Sequence, residues 1–246
     1  MAEDSMVIDG RASEAKALVP PKNGDGPANP FTPKPSKKGP KPPDKGNGEY
    51  HEQPPAGNHP AVLIGLIDLG THEESFQGQK PTKKRKVMLV WELTTEKMSG
   101  MKDANHVIAN RYTFSMHPKA GLRKVLESWR GKKYGDDEQV DVSAVLGKPC
   151  LLSVTHSTAG DRLYANVAGV QSVPKAMAVP AAQRTPVSWL VGGALSDLPD
   201  WLPYIYGEPV IDVVKRCREL NGGAEEKGDA AGGNLIPAGA YEAIPF

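Results

Sequence analysis

Apolar residues leave strand spacing for one helical stretch between strand-like runs, and that switch restricts the fold more than any other feature. AVLIGLIDLG (residues 61 to 70) is a β-branched and aliphatic run closed by Gly70 and reads as a first strand. KRKVMLVWELTT (84 to 95) reads as a second, with Val87, Leu89, Trp91 and Leu93 on one face, and HVIANRYTFSM (106 to 116) as a third. In PKAGLRKVLESWRG (118 to 131) the period becomes helical: Leu122, Val125, Leu126 and Trp129 share one face, Pro118 suits a first turn and Gly131 a C-terminal cap. CLLSVTHS (150 to 157) and RLYANVAGVQSV (162 to 173) return to strand character across the turn Thr158-Ala159-Gly160-Asp161.

Three strands, one helix and two strands is the element order of the OB-fold. The expected fold class is therefore mainly β: a five-stranded OB-fold barrel with one helix between strands 3 and 4. The barrel domain is assigned to residues 59 to 175. Residues 176 to 222 form a Pro-rich and aromatic extension in which Val210, Val213, Val214 and Cys217 predict a short amphipathic helix. Trp201, Tyr204 and Tyr206 are expected to pack this extension onto the barrel or onto a neighbouring subunit.

Composition matters chiefly for the two ends. With 26 Gly and 23 Pro among 246 residues, the chain holds too many breakers for one compact domain, so disordered flanks are expected. Residues 1 to 58 form a Pro/Lys-rich arm without apolar periodicity, in which Lys34, Lys37, Lys38, Lys41 and Lys45 alternate with prolines. Residues 223 to 246 form a flexible acidic tail. Charge is uneven: residues 60 to 175 hold 17 Lys or Arg against 12 Asp or Glu, whereas beyond Gly222 four acids face Lys227 alone. A basic body points to a polyanion, and an acidic tail to a different kind of partner.

Holding a single strand requires cations for the phosphates and flat side chains on which bases stack. Lys80, Lys83, Lys84, Arg85 and Lys86 form a basic loop and strand start between the first two strands. Arg111 and Tyr112 lie in the third strand, Arg130, Lys132, Lys133 and Tyr134 follow the helix, and His156 and Tyr164 belong to the last hairpin. Trp91, Phe114 and Trp129 are read instead as core, because alternate strand residues face inward. PTKKRKV (81 to 87) matches a nuclear address, but its end starts a strand and would be tied into a sheet.

The last seven residues, AYEAIPF, end in Phe246, which joins an aromatic ring to a free carboxylate. A partner with an apolar pocket beside a basic side chain captures both, with Glu242, Ile244 and Pro245 adding to the docking peptide. The ending Ile244-Pro245-Phe246 resembles the C-terminal tip of bacterial and phage single-stranded DNA-binding proteins, which in that family recruits replication, recombination and repair proteins. The passages LIDLGTHEESFQGQ, KRKVMLVWEL, LRKVLESWRGKKY, LGKPCLLSVTHS, YANVAGVQSVPK and LPDWLPYIY resemble phage-encoded OB-fold binders across residues 61 to 206. The resemblance implies coating of exposed strands, without sequence preference, in the cytoplasm of an infected bacterial cell.

No enzymatic activity, cofactor or metal is expected. The two cysteines, Cys150 and Cys217, form no ligand motif, and the six histidines lack zinc-like spacing. No run reaches the roughly 18 apolar residues of a membrane span, so no membrane partner is expected. A homo-oligomer is left open. The competing readings are an OB-fold protein-interaction adaptor and a replication-associated enzyme such as a nuclease.

Overall fold

The computed structural model describes residues 52–75, 80–101, 103–135, 138–159, 162–205 and 207–222. The tail from residue 223, the first 51 residues of the arm and Tyr206 lie outside these; residues 52 to 58, read as the end of a disordered arm, are described, and Gly57 and Asn58 already pair in the first strand. The chain runs through β1 (Gly57–Glu74), β2 (Thr82–Lys97), β3 (Asn105–Thr113), α1 (Gly121–Arg130), β4 (Pro149–Ala159), β5 (Arg162–Gln171), β6 (Val187–Trp189) and α2 (Val210–Lys215). Short 3-10 turns occupy Val142–Val145 and Leu195–Asp197.

The mainly β expectation holds, and all five expected strands and the helix are present. Two details differ. The helix starts at Gly121, three residues after Pro118, and Ala120 takes the extended N-cap position; it ends as expected on Gly131, whose φ of 72° is left-handed. A sixth strand, β6, falls in the segment read as an extension. The sheet has the order β3-β2-β1-β4-β5 through antiparallel ladders, and β6 joins β1 in parallel. It is open rather than a closed barrel: β3 and β5 come into contact, but no ladder joins them.

β1 is the strand on which everything else converges. Residues 61 to 70 are buried without interruption, where a strand with one wet face would alternate. Its start pairs with β4 (Gly57↔Val154 to Val62↔Pro149), and after a bulge between Leu63 and Gly65 it pairs with β6 (Gly65↔Val187 to Ile67↔Trp189). At Gly65 a Cβ would stand 2.9 Å from Val90 Cβ, so the backbone approach there admits no side chain without displacing β2.

The two-residue strand period divides the interior into two cores, one on each side of β1 and β2. Val87, Leu89, Trp91 and Leu93 of β2 face Leu63, Leu66, Leu122, Leu126, Trp129, Leu152 and Val154; Phe114 packs at the edge. Trp91, Phe114 and Trp129 are thus core, as expected. Met88 and Val90 face the other way, toward Ile64, Ile67, Leu69, Trp189, Val210 and Val214, with Trp201 packed against them. Burying each large side chain contributes about 1.5–3 kcal/mol.

Two carboxylates fasten the extension over this second core. Glu92, fully buried on β2, accepts hydrogen bonds from Asn105 Nδ2 (2.7 Å), Gln183 N (2.7 Å), Arg184 N (3.1 Å) and Arg184 Nη1 (3.1 Å). Burial alone would push its carboxyl up; these donors outweigh burial and hold it below the ordinary range. Glu219 accepts from Thr71 N (2.8 Å) and Thr71 Oγ1 (2.6 Å), while Arg218 N donates to Thr71 O (3.0 Å).

A strap at residues 52 to 55 crosses from the β2–β3 loop to the β4–β5 hairpin. Glu52 accepts from Ser99 N (2.6 Å) and Ser99 Oγ (2.7 Å), Gln53 Oε1 from Ala165 N (3.0 Å), and Pro54 O from His156 Nε2 (2.8 Å).

Candidate nucleic-acid interface

The antiparallel register of β1 and β2 sets basic residues opposite acidic or polar ones: Lys83 faces Glu73, Lys84 faces His72 and Arg85 faces Thr71. Lys80, Lys83, Lys84 and Arg85 are exposed, but Lys86 is buried. Its Nζ lies 2.8 Å from Glu74 Oε1 and donates to Thr113 Oγ1 at 3.0 Å. Lys84 Nζ approaches the same carboxylate at 3.7 Å. Glu74 is held below the ordinary carboxylate range, first by the Lys86 hydrogen bond and then, against burial, by the charges of Lys86, Lys84 and Arg111. Arg85 grips the buried Asp68 with two donors, Nε at 3.2 Å and Nη2 at 2.5 Å.

The run from Lys80 to Lys86 therefore divides by chemistry. Arg85 and Lys86 close the hairpin internally, Lys84 is exposed but shares Glu74 with Lys86, and Lys80 and Lys83 are exposed. Arg111, half-buried on β3 opposite Met88, adds its field to the Glu74 end of this group.

After α1, Arg130 lies over the Tyr134 ring, 4.8 Å from its centroid, and pairs with Glu138 at 2.6 Å. Lys132 and Lys133 are exposed beside them. The residue that shapes this loop is Arg123, which is buried and donates to Glu127 Oε1 (2.9 Å), Met116 O (3.1 Å) and Tyr134 O (2.6 Å). Tyr134 is half-buried, and burial pushes its phenol up.

The remaining aromatic candidates lie in different settings. Tyr164 on β5, opposite Ser157, is 41% exposed and offers a face to solvent. His156 is exposed at its side of the same hairpin, with Nε2 engaged by the strap at Pro54 O. Tyr112 is only 9% exposed and belongs to the first core; burial pushes its phenol to about 12, and its hydroxyl accepts from Asn110 Nδ2 at 3.0 Å.

The register places the β1–β2 turn beyond Glu74 and the β4–β5 turn beyond Gly57, at opposite ends of β1. Lys80 to Lys86 and Arg111 thus form one group, and His156 and Tyr164 share another hairpin. Glu242, Ile244, Pro245 and Phe246 lie outside the described residues.

Two cations that the sequence reading passed over reach the first group. Arg216 and Arg218, following α2, line a cleft of about 480 Å³ together with Thr71, His72, Glu73 and Lys83. The run KRCREL was visibly basic, but nothing in it signalled a neighbour more than 130 positions earlier. Among the described residues, no group of three or more His, Cys, Asp or Glu side chains is arranged to hold a metal ion, and no helix is long and apolar enough to cross a membrane. Comparison of the chain with protein-family models, with curated proteins and with solved structures found no match.

Proposed function

We propose that this chain is a non-enzymatic single-stranded DNA-binding protein of the OB-fold type, similar to phage-encoded binders. It coats exposed strands without sequence preference during replication, recombination or repair. Its place of action on this reading is the cytoplasm of an infected bacterial cell. Exposed Lys80, Lys83 and Lys84, with Lys132 and Lys133, displace counterions from the phosphates, and half-exposed rings such as Tyr164 stack with bases. Glu242, Ile244, Pro245 and Phe246 recruit partner proteins of the same processes.

The observation that carries this reading is the strand order β3-β2-β1-β4-β5, with α1 between β3 and β4 and with β3 and β5 in contact. A five-stranded Greek-key barrel opened between its third and fifth strands has this order. The outward lysines on its β1–β2 hairpin supply the charge such a surface needs.

A gel-shift comparison of single- and double-stranded DNA of equal length tests the proposal. The expected result is a shift of the single strand at lower protein concentration than the duplex, with the labelled strand intact after incubation with divalent metal. A protein-interaction adaptor would shift neither, and a nuclease would shorten the strand. Deleting Ile244 to Phe246 is expected to leave the shift unchanged while abolishing capture of a partner protein.

A further inference from the structure

The cleft beside α2 brings charged side chains of the extension and of the β1–β2 hairpin together. Three of its six lining side chains are cationic, Lys83, Arg216 and Arg218, and one is a carboxylate, Glu73. His72 directs Nε2 to Leu69 O at 2.8 Å, and Thr71 is held by Glu219. Arg216 is exposed and pairs with Glu208, itself exposed, a contact of the kind that contributes little to stability. The lining contains no Phe, Tyr or Trp and no aliphatic side chain, which suits a charged sugar-phosphate chain and not a base. Lys83 also belongs to the hairpin whose lysines are proposed to meet the strand, so the cleft continues that surface.

We propose that this cleft seats a phosphodiester of the bound strand, which makes the extension after β5 part of the DNA-binding surface and not merely a cover for the second core. The inference rests on the single-strand reading above. It assigns Arg216 and Arg218 to phosphate contact, and it gives Glu73 a restraining role, since a carboxylate in the lining opposes the incoming anion.

The test is the affinity of the full chain for a labelled oligothymidylate as a function of NaCl concentration, for wild type and for Lys83→Gln, Arg216→Gln, Glu73→Gln and Lys124→Gln. Lys124 lies on the exposed side of α1 and serves as the control of equal charge change. Lys83→Gln and Arg216→Gln are each expected to weaken binding roughly threefold at low salt. Each should also lower the slope of log affinity against log salt by about 0.7. Glu73→Gln is expected to tighten binding, an effect that partial unfolding cannot mimic, and Lys124→Gln to leave the slope unchanged.

Equal effects from Lys124→Gln and Arg216→Gln would overturn the proposal, because general electrostatics would then suffice. Inorganic phosphate added as a competitor separates a small-anion site from a strand site. Phosphate binding that is lost in Arg216→Gln while oligonucleotide affinity persists would also overturn it. Failure of the wild-type protein to bind the oligonucleotide at all would instead remove the single-strand reading, and this inference with it.

Discussion

The two faces of the sheet are closed by different physics. On the first, α1, β4 and β5 bring Leu122, Leu126, Trp129, Leu152 and Val154 against β2, and apolar contact does nearly all the work. On the second, a segment with only a three-residue strand and a six-residue helix lies over Ile64, Ile67, Met88 and Val90, held by Glu92 and Glu219. Regular elements close a core by shape. An irregular segment has more backbone donors to satisfy; the buried Glu92 accepts two of them at once, and the half-buried Glu219 of the segment reaches back to Thr71.

Variants that strike one face and spare the other separate these two modes. The largest effect is expected from Glu92→Ala, which strands Arg184, Asn105 and two backbone N–H groups and should destabilise by about 3–5 kcal/mol. Hydrogen exchange should rise first at residues 183 to 191 and in β6, with α1 protected; uniform loss of protection would erase the distinction. Leu126→Ala, on the first face, should cost roughly 3 kcal/mol by leaving a cavity. Its signature is a lower urea midpoint with exchange accelerated across the whole sheet.

Gly70→Ala should cost about 2 kcal/mol. Gly70 has φ of +75°, in a region that L-residues occupy at a penalty of roughly 1–2 kcal/mol, and its new Cβ would stand 2.5 Å from Cys217 Cβ. Because Cys217 follows α2, the loss should appear as detachment of the extension, read by exchange at residues 210 to 219.

A smaller, pH-dependent effect comes from the end of the sheet near the strap. Burial holds His106 below its ordinary 6.5, against the opposing charges of Glu52 and Glu96, so the fold favours the neutral ring. Its contribution is complete above pH 6.5 and declines as pH falls below that value, because the unfolded chain takes up the proton first. The lowered carboxyls of Glu74 and Glu92 act in a separate window. They stabilise above pH 4.5, and their contribution is lost as pH falls further. The thermal midpoint should therefore fall in two stages on acidification, and His106→Gln should remove the first.

The first face was legible in the sequence throughout and the second only in part: Val210 and Val214 of the expected short helix cover it and Trp201 packs there, but β6 and the buried anchor Glu92 gave no sign. Val87, Leu89, Trp91 and Leu93 announce one buried side, and the helical spacing of Leu122, Leu126 and Trp129 announces what covers it. The run from Ala61 to Leu69, apolar but for Gly65 and Asp68, carried the missing hint, since a strand without polar alternation is buried on both sides. Glu92, between Trp91 and Leu93, carries no sign in the sequence of its burial. Val187–Trp189 is too short to register as a strand in a Pro-rich segment.

The candidate site divides in the same manner. The lysines from Lys80 to Lys86 were visible as a charge run. That Arg85 is occupied by Asp68, and Lys86 and Lys84 by Glu74, depends on the register between β1 and β2, which is a property of the sheet. Tyr112 and Tyr164 look alike in the sequence, yet one is core and the other is exposed, because they fall on opposite phases of their strands. Arg216 and Arg218 join Lys83 only because Thr71 anchors the chain after α2.

The proposed function requires electrostatic capture of an unpaired strand. Fluorescence anisotropy of a labelled oligothymidylate, titrated with the full chain at increasing NaCl, measures this directly. Tight binding at low salt, with log affinity falling linearly in log salt by about 0.7 per phosphate neutralised, is the predicted result. An affinity that is negligible at low ionic strength, or that stays constant as salt rises, would contradict it.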